Sequence, residues 1–158
     1  MAQYYLAGQA LHGRSGHAVG RKLLEQLYQT HVGGRMPEIA IADGGKPYFV
    51  DSPWHFSISH TKAHAFCALS LSPIGIDAEE MERKIDLKIA PKILSQEEFA
   101  QFAQAEDPRL CLLRFWVLKE ATAKFTGEGM KWHPTHTNFS LPDGRIREMD
   151  GCLVAVVY

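Results

Sequence analysis

Hydrophobic positions along the chain follow two different periods. Between residues 16 and 31, Val19, Leu23, Leu24 and Leu27 recur at helical spacing, and Gly33-Gly34 closes the segment. HFSIS, residues 55–59, alternates apolar and polar positions, as a half-buried strand does. AFCALSLS (65–72) predicts a more buried strand and IGIDAE (74–79) another; residues 3–7 and EIAIA (38–42) predict short ones. DGGK (43–46) reads as a turn, after which Pro47 begins an extended piece. Residues 86–94 predict a short helix. Ser95 with Glu98 forms a capping-box signature for the next one. Asp107-Pro108 opens a long helix that Gly127 and Gly129 end. Strands are expected again at 137–141 and 152–158, separated by the turn PDGR. Strands arrive in runs instead of alternating with helices, which predicts an α+β fold with antiparallel sheet.

Composition narrows the class. The 158 residues suit one domain or two small fused lobes, and 46% hydrophobic with 22% charged residues is enough to bury a core. A net charge of -1 lacks the basic excess of a bulk nucleic-acid binder. The first residues, MAQYYLAGQALHG, carry no signal-peptide pattern, and no apolar run reaches membrane-spanning length. Cys67, Cys111 and Cys152 are dispersed, odd in number and set in apolar runs. Free buried thiols in a reducing compartment follow, so the expected location is cytoplasmic.

Two features could carry chemistry. Asp77 and Glu79, two apart on a strand, share a face. Paired carboxylates repel, and a divalent cation with a taste for oxygen, such as Mg²⁺, relieves that. A solvated acidic turn is the alternative, since Glu80 and Glu82 follow. On the long helix, Trp116, Glu120 and Lys124 lie four apart on one stripe, with Leu113 and Val117 near it. Ionised residues on an inward stripe are rare unless paired or ligating. Glu120 is therefore a candidate third carboxylate for Asp77 and Glu79, and Lys124 a phosphate neutraliser. A surface Glu–Lys pair would explain those two residues but not Trp116.

Other signals are weaker. Ser59 and Thr61 beside His60 and Lys62 make a fair anion site, although turn chemistry alone would use the same hydroxyls. His60 and His64 invite a zinc reading. It is rejected because no Cys or third His lies at ligand spacing and the segment reads strand-turn-strand. His133 and His136, near Trp132, read as surface loop residues. GGKP (44–47) is no phosphate loop, having Pro47 where Ser or Thr belongs.

Taken in order, GKP, FSISHT, GIDAE and FWVLKEATAK resemble the 4'-phosphopantetheinyl transferase superfamily, in its surfactin-synthetase-activating branch, over roughly residues 12–130. The resemblance implies two similar small α+β lobes related by a pseudo-two-fold, approximately 1–72 and 73–158, within a single domain. It implies transfer of the phosphopantetheine arm of coenzyme A to a serine of an acyl or peptidyl carrier protein, with release of adenosine 3',5'-bisphosphate. Asp77, Glu79 and Glu120 would hold Mg²⁺, or Mn²⁺ in its place. Glu120 would act as general base and Lys124 would assist catalytically. Lys119 and Lys124 would contact phosphates, Ser59 and His60 the 3'-phosphate, and Lys46 would border the adenine and 3'-phosphate region. Arg14, more than Arg21, is the candidate for a shortened basic segment. The chain is expected to lack an early strand and a hairpin after Met130, and to be a compact monomer. Lys84, Lys88 and Lys92 recur at helical spacing, and Lys88 with Lys92 is a candidate patch for an acidic carrier; a solvated helix face explains them equally. A binding-only relative and an unrelated magnesium-dependent nuclease or phosphotransferase are the rival classes.

Overall fold

The computed structural model describes residues 4–128 and 133–158. Gln3, Gly129 and Trp132, which figure in the sequence expectations, lie outside the described residues.

Each half of the chain builds a three-stranded antiparallel sheet with one long helix. In the first, strand β1 (Tyr5–Ala10) is followed by helix α1 (Gly16–His31), a β2–β3 hairpin (Ile39–Ile41, Pro47–Phe49), β4 (His55–His60) and β5 (His64–Ser70). The main sheet runs β1-β5-β4. The second half opens with β6 (Gly75–Glu80). A 3-10 turn (Leu87–Ile89) and helices α2 (Ala90–Ile93), α3 (Gln96–Ala103) and α4 (Pro108–Thr126) come next, then the hairpin β7 (Ile146–Met149) and β8 (Cys152–Val157). Its sheet runs β6-β8-β7. In both sheets the last strand sits between the other two, all pairings are antiparallel, and one long helix covers a face.

Local chemistry explains the boundaries. Ser15 caps α1 by accepting from the Ala18 N–H. The stripe Val19, Leu23, Leu24 and Leu27 packs on Ala65, Cys67 and Leu69 of β5. Ser95 and Glu98 form the reciprocal capping box of α3. Asp107 caps α4, and Gly127 ends it in the left-handed conformation at φ 72°. Helix α4 is apolar on two sides. Leu113, Val117, Leu118 and Ala121 meet β8, whereas Cys111, Leu112 and Phe115 meet Ile93 and Leu94. A helix enclosed in this way leaves little room for a polar face. What remains, the stripe Trp116, Glu120 and Lys124, is half-buried.

The two sheets meet at their edges through side chains. The Ser57 hydroxyl accepts from Ile76 N–H and that of Ser59 from Ala78 N–H, both at 3.0 Å, and Thr61 donates to the Glu80 carboxylate. The constant offset sets β4 and β6 side by side in the same direction. Alternate hydroxyls on β4 thus satisfy edge N–H groups of β6 that no strand pairs.

One expected element is absent. Residues 137–141 form no strand. Their backbone groups are taken by side chains: Glu98 accepts from Phe139 N–H, Gln101 bonds both the N–H and C=O of Leu141, and Lys119 donates to the Thr137 carbonyl. The β8 partner in the second hairpin is instead β7, beyond the PDGR turn, joined to β8 through Asp150-Gly151.

Candidate functional site

Between the halves lies a pocket of about 460 Å³, lined by Gly44, Gly45, Lys46, Trp116, Glu120 and Lys124 among others. Close approach shapes it. A Cβ on Gly44 would lie 2.0 Å from the Gly127 carbonyl oxygen, so the β2–β3 turn closes against the end of α4. A Cβ on Gly75 would lie 2.2 Å from the Ala121 carbonyl oxygen, so only glycine lets α4 lie on β6. That contact sets Glu120 and Lys124 beside Asp77.

Asp77 is buried, 8% exposed. Its Oδ1 lies 3.2 Å from Lys124 Nζ and accepts from the Ser59 hydroxyl at 3.3 Å. Its Oδ2 is buried without a hydrogen-bond partner. Burial pushes the carboxyl up to about 7; Lys124 opposes the rise, and Glu79 and Glu120 add to it. Glu120 is likewise raised by burial, lowered by Lys124 and raised by Glu79. The three carboxylates therefore feel one another across the pocket wall. An orphaned buried oxygen beside mutually repelling carboxylates fits a hard divalent cation.

Glu79 is held differently. Its Oε1 accepts from the Trp116 indole N–H at 3.3 Å and from Arg83. The oxygens of Asp77, Glu79 and Glu120 do not all come within 4.8 Å of one another; among the described residues that closeness is reached by His64, Glu80 and Cys152. Trp116 and Arg83 are thus the holders of Glu79. The sequence offered Trp116 as an unexplained aromatic on the stripe and gave no signal for Arg83.

Lys46 lines the pocket and donates to the Ile74 carbonyl at 2.9 Å, and burial lowers its pKa. Lys124 also reaches the Ile58 carbonyl of β4, at 3.5 Å, so one ammonium touches both halves. His60 is exposed, and its ring lies against Gly16 at the start of α1, where a Cβ would come within 2.5 Å. Arg14 is two residues upstream, its guanidinium on the Leu11 and Ala10 carbonyls. His60 and Arg14 therefore gather at the N-terminus of α1. Ser59, next to His60, points the other way, into the junction with Ala78 and Asp77.

Lys119 is not brought to the pocket. It is fully buried, and its ammonium lies 2.7 Å from Glu98 Oε1 and donates to the Pro134 carbonyl and to Thr137. One residue on a helix is a rotation of about 100°, so Lys119 faces α3 while Glu120 faces the pocket. Lys88 and Lys92 are exposed, but the helix expected across 86–94 is broken into the 3-10 turn and α2. Lys88 borders an apolar groove with Leu87, Pro91, Phe99 and Phe102. Lys84 sits with Arg83 along a separate depression that reaches Glu80.

Fold and site together define a two-part α+β protein with acidic groups and lysines converging between its halves. Residues 73–150 match the 4'-phosphopantetheinyl transferase superfamily. It is 38% identical over 88 residues to 4'-phosphopantetheinyl transferase gsp of Aneurinibacillus migulanus, covering 54% of this chain and 36% of that protein. It is 35% identical over 91 residues to 4'-phosphopantetheinyl transferase psf-1 of Bacillus pumilus, covering 56% and 39%. A 4'-phosphopantetheinyl transferase of Bacillus subtilis is 31% identical over 118 residues, covering 66% and 52%. The matched regions span about a third to a half of the length of these relatives. No helix among the described residues is long and apolar enough to cross a membrane.

Proposed function

We propose that this chain transfers 4'-phosphopantetheine from coenzyme A to a serine hydroxyl of an apo acyl or peptidyl carrier protein, with Mg²⁺, releasing adenosine 3',5'-bisphosphate. The observation that carries this reading is that Glu120 and Lys124 line one pocket with Lys46 while Lys124 is paired to the buried Asp77, in a chain whose residues 73–150 match the superfamily.

Glu120 is the group that takes the serine proton. A hydroxyl attacks phosphorus poorly until a positioned base accepts its proton, and the best base has a pKa brought toward the working pH. Burial moves Glu120 in that direction. Lys124 supplies positive charge for the pyrophosphate, where charge grows as the bond to the leaving nucleotide breaks, and Lys46 borders the adenine and 3'-phosphate region. Mg²⁺ held by Asp77, Glu79 and Glu120 would supply further charge neutralisation at the pyrophosphate. Asp77 Oδ2, buried and unbonded, is suited to that ion. In this reading His60 and Arg14, near the start of α1, take the 3'-phosphate, where helix N–H groups also favour an anion; the position of the His60 ring against Gly16 supports it.

The carrier docks beside Lys88, where exposed Leu87 and Phe99 join Phe102 in an apolar groove with a cation at its edge. Acidic helices with apolar ridges complement such a surface. The protein acts as a monomer in the cytoplasm under this reading. Incubating it with coenzyme A, Mg²⁺ and an apo-carrier, then weighing the carrier, tests the proposal: a gain of one phosphopantetheine is expected, and no gain on fatty-acid, polyketide or peptide carriers refutes it.

A further inference from the structure

A second group of ligand atoms lies outside the pocket. His64, Glu80 and Cys152 each offer one atom, and all three atoms lie within 4.8 Å of one another. His64 Nδ1 is 2.9 Å from Glu80 Oε1 and 3.6 Å from Cys152 Sγ. A tetrahedral zinc centre with Zn–N near 2.0 Å and Zn–S near 2.3 Å has ligand-to-ligand edges of about 3.3–3.6 Å. The observed separations need only small adjustments to match.

The backbone preorganises these atoms. Glu80 and Cys152 are direct cross-strand partners of β6 and β8. His64 starts β5, and its N–H and that of Ala63 both bond the Thr61 hydroxyl, which fixes the turn before it. Three strands from the two halves therefore deliver nitrogen, oxygen and sulfur to one point. Cys152 is buried, whereas His64 and Glu80 are part-exposed at 19% and 29% of their side chains. A surface depression lined by Thr61, Glu80 and Arg83 leaves room for water as a fourth ligand.

We propose that His64, Glu80 and Cys152 form a zinc-class metal site, separate from the carboxylate pocket, that staples the two halves of the chain together. The donor set selects the ion. Thiolate and imidazole favour zinc or cobalt over magnesium, whose preference is for oxygen alone. On ligation the Cys152 thiol loses its proton to solvent and sulfur binds as thiolate. The sequence spacing of the two histidines hides this site, because its sulfur comes from the far end of the chain.

The test uses the chelator-stripped protein titrated with Co²⁺. One equivalent should bind with a thiolate-to-cobalt charge-transfer band, unaffected by excess Mg²⁺, and Zn²⁺ should raise the melting temperature. Cys152→Ala should abolish the band. His64→Ala and Glu80→Gln should weaken binding by about tenfold or more, whereas Cys67→Ala should keep it. A readout on unaltered protein runs alongside, in case Cys152→Ala fails to fold: Zn²⁺ should protect Cys152 from alkylation in mildly destabilising urea, mapped by mass spectrometry. Cobalt binding without the band, a band that survives in Cys152→Ala, or equal alkylation with and without Zn²⁺ overturns the proposal.

Discussion

The ammonium of Lys119 lies 2.7 Å from the carboxylate of Glu98, and both side chains are fully buried. Glu98 also closes the cap of α3 and holds the Phe139 N–H, so this one carboxylate joins α3, α4 and the loop that precedes β7. Removing either member strands a buried charge. Lys119→Ala should cost about 3–5 kcal/mol, read as a fall in urea midpoint. The KM for coenzyme A, measured where the variant remains folded, should stay at the wild-type value. A raised KM with unchanged stability would instead place Lys119 on the substrate.

The junction between β4 and β6 makes its own prediction. Ser59 both satisfies the Ala78 N–H and donates to Asp77 Oδ1. Ser59→Ala leaves a buried N–H unpaired, at a cost of about 1–3 kcal/mol, and frees Asp77 to turn. Mg²⁺ affinity should weaken along with stability. Ser57→Ala, which bonds Ile76 N–H, is expected to lose stability alone. Equal effects of the two variants on Mg²⁺ affinity would rule out a positioning role for Ser59.

Asp77 sets a pH dependence. Its folded value of about 7 lies above its ordinary 3.8, so the folded state binds this proton more tightly than the unfolded state. The resulting stabilisation is fully present below 3.8 and is lost as pH rises toward 7. With divalent cations chelated, wild type should therefore lose stability across that interval relative to Asp77→Asn, with no further divergence above it. Mg²⁺ at neutral pH should recover part of the loss. Parallel melting-temperature profiles for the two proteins would contradict the assignment.

The carrier surface is tested by charge reversal. Lys88→Glu should raise the KM for an acidic carrier several-fold and leave that for coenzyme A unchanged, with the effect fading as salt screens the surface. Lys92→Glu should do less, because Lys92 does not border the apolar groove. Unchanged kinetics for both would move docking elsewhere.

Much of this arrangement was legible in the chain. The period of Val19, Leu23, Leu24 and Leu27 predicted α1 to its bounds, and the Ser95–Glu98 box predicted the start of α3. The stripe of Trp116, Glu120 and Lys124 was legible as a polar exception on an apolar helix, and all three line the pocket. What stayed hidden depends on side chains meeting across long stretches of sequence. Nothing in residues 137–141 announces that Glu98, Gln101 and Lys119 will take the bonds of a strand ladder. The alternation of Ser57, Ser59 and Thr61 was visible, but its partner edge on β6 was not. Cys152 read as a buried thiol because its neighbour His64 lies 88 residues away.

The most direct measurement compares wild type with Glu120→Gln, mixing each with coenzyme A, Mg²⁺ and an apo-carrier, and weighing the carrier while separating the nucleotides. Wild type should add one phosphopantetheine per carrier and release an equal amount of adenosine 3',5'-bisphosphate. Glu120→Gln should still bind coenzyme A but lose transfer by about a hundredfold or more, as expected for a missing general base. Transfer by the variant at the wild-type rate, or tight coenzyme A binding by wild type with no carrier modified, would contradict the account.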